Sequence, residues 1–239
     1  GNKPASTNTN HSSTNDTTQL SYTKYKYGAA AGPNGDDNSN TLDYVTTYRN
    51  DTKAVKVSET YYDASRGQGN EISWYSKSYN SLGSVKSTSV FFYGASSLKA
   101  SDTLVNENTA MTASVSYDGD KSDSIGTITF ATTAQRESVT YYVGAAKEEV
   151  AKYSVNYDKA NGTTVKDTSV FFYGASSLRA GQAGVDEDTK MTSQISIRGV
   201  ALTSAQVDTL SSTSSSITVL TVTYYRKNLT NFTGDKGEE

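Results

Sequence analysis

The sequence predicts a mainly β chain: tandem small β-rich modules, β-grasp-like or β-sandwich, with few short helices, preceded by a disordered leader. Three observations carry this. The eleven residues TSVFFYGASSL stand at 88–98 and return at 168–178, 80 positions on (168 − 88). Apolar and polar residues alternate through short segments bounded by Gly, Asn and Asp turns, the period of half-buried strands. Tyr (18) outnumbers Phe (6), and rings that keep a polar hydroxyl suit half-exposed sheets better than a deep apolar core. A single large β-sandwich is the alternative architecture.

The elements follow in chain order. Residues 1–19 hold no aromatic residue and no apolar rhythm. Such a stretch does not offset its ordering entropy and reads as a flexible linker. Residues 20–70 form a divergent first unit, with Tyr27-Gly28-Ala29 and VSETYY ending at Tyr62 as landmarks around a shortened middle. In it, Val55, Val57 and Tyr61 alternate with Lys56, Ser58 and Thr60, as on a strand. Residues 71–146 and 147–227 are two clear copies. YSKSY (Tyr75 to Tyr79) answers YSVNY (Tyr153 to Tyr157), Met111 answers Met191, and ESVTYY ending at Tyr142 answers LTVTYY ending at Tyr225. Asn161-Gly162 suits a tight hairpin turn. SSSITVLTVTYY, apolar on both faces, reads as a central strand. Two short helices are expected, at Gly144–Lys152 between the units and at Thr203–Leu210, where Thr203 is a plausible cap. Residues 228–239 are a polar tail or linker.

Within the repeated peptide, Val90 and Phe92 should face one way and Phe91 and Tyr93 the other, with Gly94 allowing the backbone to bend. The second copy offers Val170, Phe171, Phe172, Tyr173 and Gly174 in the same pattern. Large residues on both sides of a strand need cover on both sides, so the peptide reads as duplicated core.

Composition limits what the chain can do. The formal charge is −3, with 22 basic and 25 acidic residues interspersed. No basic run is long enough to neutralise a row of phosphates, which argues against nucleic acid. No apolar stretch approaches the roughly 20 residues that cross a bilayer, so no membrane insertion is expected. There are no cysteines, hence no disulfide or thiolate zinc site. A Lys–Asn isopeptide cross-link would suit such a chain. The chain is expected to be a mature segment or fragment.

Enzyme chemistry finds little support. The one histidine, His11, lies in the leader, so no His-based triad or multi-His metal site can be built. No phosphate-binding glycine loop occurs, and no carboxylate pair is singled out for glycoside hydrolysis. Clustered oxygen ligands on a turn are what calcium requires. Asp118, Asp120, Ser122 and Asp123 offer one such cluster, and Asp36, Asp37, Asn38 and Asn40 a second. Neither has the full spacing of a calcium motif, and water-facing turns account for both. A structural Ca²⁺ is therefore the one cofactor the residues allow, and otherwise none is expected. VNENT (Val105 to Thr109) and VDEDT (Val185 to Thr189) read as turns. Trp74, beside Tyr75 and Tyr79, either stacks on a sugar ring or plugs the joint between the first two units.

The stretch KYSVNYDKANGTTVKDTSVFFYGASSL, closed by ITVLTVTYY, resembles the mucin-binding-protein type repeats of lactic-acid-bacterial surface proteins. Tyr153, Val155, Tyr157, Gly162 and Val165 fit the opening hairpin of those repeats, and Val219, Thr221, Thr223 and Tyr225 the closing strand. The middle unit departs from the pattern, with Lys77 where Val155 stands. The likeness runs from Trp74 to Tyr225. It implies a non-enzymatic extracellular adhesin segment of a Gram-positive bacterium, cell-surface or secreted, built from β-grasp-like repeats. The expected partners are host or environmental glycans and glycoproteins, or neighbouring domains of a larger surface protein. Either the modules bind glycan, or they are spacers that project another domain. Fibre-like assembly, with a stable trimer, is a third reading.

Overall fold

The computed structural model describes residues 22–27, 30–31, 37–38, 41–49, 55–212 and 219–224. The leader with His11, the loop residues Asp36 and Asn40, the closing Tyr225 and the tail lie outside the described residues. In chain order the strands are β1 (Tyr22–Tyr27), β2 (Ala30–Ala31), β3 (Asp37–Asn38), β4 (Leu42–Tyr48), β5 (Lys56–Asp63) and β6 (Ile72–Tyr79). β7 (Val85–Tyr93), β8 (Leu98–Lys99), β9 (Met111–Asp118), β10 (Arg136–Val143) and β11 (Val150–Tyr157) follow. β12 (Val165–Tyr173), β13 (Leu178–Arg179), β14 (Met191–Arg198), helix α1 (Ser204–Val207) and β15 (Val219–Tyr224) complete the set. The chain is mainly β. Its strands form one 13-stranded antiparallel sheet in the order β1-β4-β5-β6-β7-β9-β10-β11-β12-β14-β15, with β8 on β7 and β13 on β12, while β2 and β3 form a separate pair.

The repeat is visible as a repeated strand pattern, but the units are not strung as separate bodies. β5 pairs β6 and β10 pairs β11, so hydrogen bonding runs unbroken from one unit into the next. Each strand connects to its neighbour by a hairpin or a short excursion, which keeps sequential strands adjacent.

One face of the sheet carries a row of directly opposed residues: Tyr44, Tyr61, Tyr75, Val90, Val115, Val139, Val155, Thr168 and Ile197. Two excursions cap this face. Residues 119–135 bring Ile125 and Ile128 onto Val90, Phe92, Val115 and Val139. Residues 199–212, with α1, bring Leu202, Val207 and Leu210 onto Val155, Val170, Phe172 and Ile195. The Thr that opens each eleven-residue repeat ties its cap down. Thr88 Oγ1 donates to Gly119 O at 2.8 Å, and Thr168 Oγ1 to Val200 O at 2.5 Å. Both threonines are 0% exposed, and a lost hydroxyl would also take the acceptor from Lys121 N–H or Leu202 N–H.

Phe92 and Phe172 are 0% exposed beneath these caps. Strand alternation sets Tyr93 and Tyr173 on the opposite face, and at the same level the partner strands bulge at Thr112 and Thr192. There Tyr93 packs with Ile72, Ala100 and Val105, and Tyr173 with Val150 and Ala180. Their hydroxyls donate to Ser73 O (2.6 Å) and Ala151 O (2.5 Å). Phe91 and Phe171 are half-buried on this second face.

Four expectations need correction. Gly144–Lys152 is not helical. Gly144 and Lys147 have positive φ (132° and 72°), residues 144–149 form a turn, and Val150–Lys152 already belong to β11. β15 is the last strand of the sheet rather than a central one, pairing only β14 among the described strands. Val57 does not share the inward face with Tyr61. Tyr48 pairs Lys56 and Thr47 pairs Ser58, so a bulge skips Val57, which is 39% exposed, and Glu59 takes the inward place. The Asn161-Gly162 hairpin spans 158–164, with positive φ at Gly162 (67°) and not at Asn161. Thr203 does cap α1: its hydroxyl accepts from Gln206 N–H, and Gln206 Oε1 accepts from Thr203 N–H, a reciprocal box that satisfies two terminal donors. Among the described residues no helix is long and apolar enough to cross a membrane.

Candidate functional site

The first unit lacks what the other two share. β4 ends at Tyr48 and β5 begins at Lys56, closed by Arg49 N–H donating to Val55 O at 3.0 Å. So short a link holds no counterpart of the caps at 119–135 and 199–212. Among the described residues, the capped face of the sheet is therefore open over β4 and β5.

The junction of β5 and β6 repeats, in altered form, the junction of β10 and β11. In the later junction Tyr141 and Tyr153 stack at 4.6 Å and 17°, Val139 directly opposes Val155, and Arg136 lies 3.9 Å over the Tyr157 ring. In the earlier one Tyr61 and Tyr75 stack at 4.5 Å and 8°, and Lys56 stands 5.4 Å from the Tyr79 ring. The valine pair is replaced by Glu59 opposite Lys77. Both valines are buried under the caps. Among the described residues the charged positions have no cap of their own, and Lys77 reaches Asp120 at the edge of the 119–135 cap.

Glu59 is 5% exposed and surrounded by donors. Lys56 Nζ reaches Oε1 at 2.5 Å and Thr46 Oγ1 reaches the same oxygen at 3.4 Å. Tyr61 OH donates to Oε2 at 3.1 Å, and Tyr79 OH donates to it as well. Burial alone would raise the Glu59 carboxyl. The hydrogen bonds from Lys56, Tyr79 and Tyr61 and the Lys56 charge outweigh it and hold the group below the ordinary carboxylate value. Burial, followed by the Glu59 charge and hydrogen bond, pushes the Tyr61 and Tyr79 hydroxyls well up, so both remain neutral donors. An ionised carboxylate saturated with donors organises a site rather than giving up or taking a proton.

Around this centre the face is aromatic and cationic. Tyr44 extends the stack, 5.4 Å from Tyr61 at 36°. Register sets Lys26 opposite Tyr44 and Lys24 opposite Thr46, both exposed. Lys77 Nζ lies 5.6 Å over the Tyr61 ring and pairs with Asp120 at 3.3 Å. Half-exposed phenols with neighbouring ammonium groups present apolar ring faces and polar tips together.

The structure brings Tyr79 into this site, buries Tyr75 (7% exposed) against Tyr61 within the core that the 119–135 cap covers, and sends Trp74 elsewhere. Trp74 stands at the bulge facing Tyr61 and Tyr62, packs against the cores on both faces and meets Tyr75 edge-on at 5.2 Å. Its Nε1 is buried without a hydrogen-bond partner among the described residues. The Asp118–Asp123 loop is engaged by the protein itself. Asp120 accepts from Ser122 N–H (2.9 Å) and from Lys77, and Asp118 from Lys159 at 3.3 Å. Asp123 is the middle residue of a 3₁₀ turn, Ser122–Ser124. Among the described residues no three His, Cys, Asp or Glu side chains gather as a metal site.

Sequence reasoning missed Glu59, Lys56, Tyr44 and Tyr61 as site residues. The signal lay in aligning VSETYY with ESVTYY, where Glu59 falls on Val139 and Val57 on Glu137. Together with Lys77 on Val155, this exchange moves both charges of a cross-strand pair to the inward face. Neither protein-family models nor curated proteins give a match to this chain.

Proposed function

We propose that this chain is a non-enzymatic segment of an extracellular, Gram-positive adhesin that binds host or environmental glycan or glycoprotein through the open face of β4 and β5. One observation carries the reading. A frame that is otherwise duplicated gives up its covered valine pair for Glu59 and Lys77 beside the Tyr44–Tyr61–Tyr75 stack. Two opposed charged residues in place of an apolar pair are rarely chosen for stability, whereas ring faces edged by fixed polar groups are how sugars are held. The likeness to mucin-binding-type repeats supports the same reading. A glycan array with wild type and the Tyr44→Ala and Lys26→Ala variants tests it. Saturable binding that both variants weaken is expected, and a blank array, or binding that neither variant alters, overturns it.

A second reading, a stalk or assembly module projecting another domain, is favoured by the unbroken pairing of β5 with β6 and β10 with β11. A sheet hydrogen-bonded through its unit junctions resists bending there better than domains on flexible linkers. Scattering measurements of molecular length, with a blank array, would select it.

A further inference from the structure

The two junctions between units follow one pairing rule. The strand that closes a unit, β5 or β10, takes the strand that opens the next, β6 or β11, along its outer edge. Tyr61 stands opposite Tyr75 and Tyr141 opposite Tyr153, and these rings stack at 4.5 Å and 4.6 Å. Thr60 meets Ser76 and Thr140 meets Ser154, and the register shifts at Tyr61/Tyr62 and again at Tyr141/Tyr142. Only the next pair differs in kind: Glu59 faces Lys77, whereas Val139 faces Val155. Each closing strand thus meets a Tyr-Ser-x-x-Tyr strand whose third residue suits its own, charge to charge or valine to valine.

β15 is the third closing strand. Against β14 it keeps the register that β10 keeps against β9. Tyr224, Thr223 and Val222 oppose Ser193, Gln194 and Ile195, as Tyr141, Thr140 and Val139 oppose Ala113, Ser114 and Val115. The other edge of β15 pairs no strand among the described residues. Such an edge presents a row of backbone N–H and C=O groups to which an extended chain can add. β1, the opposite edge of the sheet, does not suit it in a second copy. An even number of pairings, all antiparallel, separates β1 from β15, so the two edges run in the same direction. Joined end to end they would pair in parallel, unlike every pairing among the described strands. The repeat leaves room there for one opening strand, and Val222 in the place of Val139 matches the valine kind.

We infer that the outer edge of β15 is a docking edge for an antiparallel strand of the β11 type, Tyr-Ser-Val-Asn-Tyr, donated by a second polypeptide. Its first tyrosine falls opposite Tyr224 and its valine opposite Val222. The inference does not depend on what the open face of the first unit binds. A fluorescent peptide with the sequence of residues 149–158, EVAKYSVNYD, titrated into the full chain and followed by anisotropy, tests it. Saturable binding is expected, and it should slow hydrogen–deuterium exchange of the 219–224 amides. The same peptide carrying Val155→Lys should bind about fivefold more weakly, and a scrambled peptide should not bind. Val222→Glu in the chain should reverse the preference between the first two peptides, as Glu59 takes Lys77. The wild-type chain with the three peptides decides the matter even if that variant does not fold. No saturable binding overturns the inference, as does a scrambled or Val155→Lys peptide that binds equally well, or slowed exchange that spares 219–224. Full protection of those amides in the free monomer would show the edge already filled by the chain itself. A dimer in light scattering with the same amides protected would assign the edge to a second copy of β15. Either result overturns the inference too.

Discussion

Glu59→Gln isolates the charge at the centre of the tyrosine site while keeping its volume. The carboxylate is 5% exposed and accepts from four side chains, two on each oxygen. An amide can serve the two donors on one side. On the other its N–H groups can only donate, so the Tyr61 and Tyr79 hydroxyls must turn to accept. The Lys56 ammonium loses its counter-charge and the two tyrosine bonds fall to neutral strength, a cost of about 1–3 kcal/mol at pH 7. The sign of the pH dependence follows from the lowered Glu59 pKa. The carboxylate's contribution is complete above its unfolded value of 4.5 and fades as pH falls through the lower folded value. The substituted amide does not titrate, so the gap between wild type and variant should close in acid. Trp74, the single tryptophan, directly precedes Tyr75 and reports unfolding of this region by fluorescence. Urea titrations at pH 7, 4 and 2 give the gap directly. A gap under about 0.5 kcal/mol at pH 7, or one unchanged down to pH 2, would refute the assigned role.

Three further outcomes are expected. Phe92→Ala and Phe172→Ala should each cost about 3–5 kcal/mol in chemical denaturation, because both rings are 0% exposed under equivalent caps; a cost below about 1 kcal/mol at either would show that the copies are not built alike. Gly162→Ala should lower the unfolding free energy in urea by more than the roughly 1 kcal/mol of an unfavourable φ, since a Cβ there would meet Thr133 O at 1.7 Å. Thr140→Cys with Ser154→Cys should oxidise to a cross-strand disulfide in this cysteine-free chain, given their hydroxyls at 3.2 Å across the β10–β11 junction. Failure to cross-link would mean that the last two units do not share a sheet.

Much of the fold was legible because local rules agreed with one another. The alternation in Val90-Phe91-Phe92-Tyr93 placed large residues on both faces, and Gly94 adopts the positive φ (65°) that the turn after Tyr93 demands. Thr203 and Gln206 carry a capping box that can be read from three-residue spacing alone. What escaped was set by pairing across the chain. The bulge at Val57 depends on its partners Thr47 and Tyr48, and it decides that Glu59 rather than Val57 turns inward. Gly144–Lys152 has helical composition, yet Val150 pairs Val143, and that tertiary pairing overrides local propensity. The union of the units into one sheet depends on edge hydrogen bonds that no side-chain pattern encodes. The candidate site was half visible: Tyr79 and the odd Lys77 stood out, while Glu59 needed the neighbouring repeat as its reference.

Oxidative footprinting of side chains, read residue by residue by mass spectrometry, tests most directly whether the first-unit face is open. Tyr44, Tyr61 and Tyr79 should label well above Tyr117 and Phe92, which are 0% exposed beneath the 119–135 cap, and a bound glycan should slow the first three selectively. First-unit tyrosines as protected as Tyr117 in the free chain would mean that their face is covered after all, and the binding role proposed for it would fall.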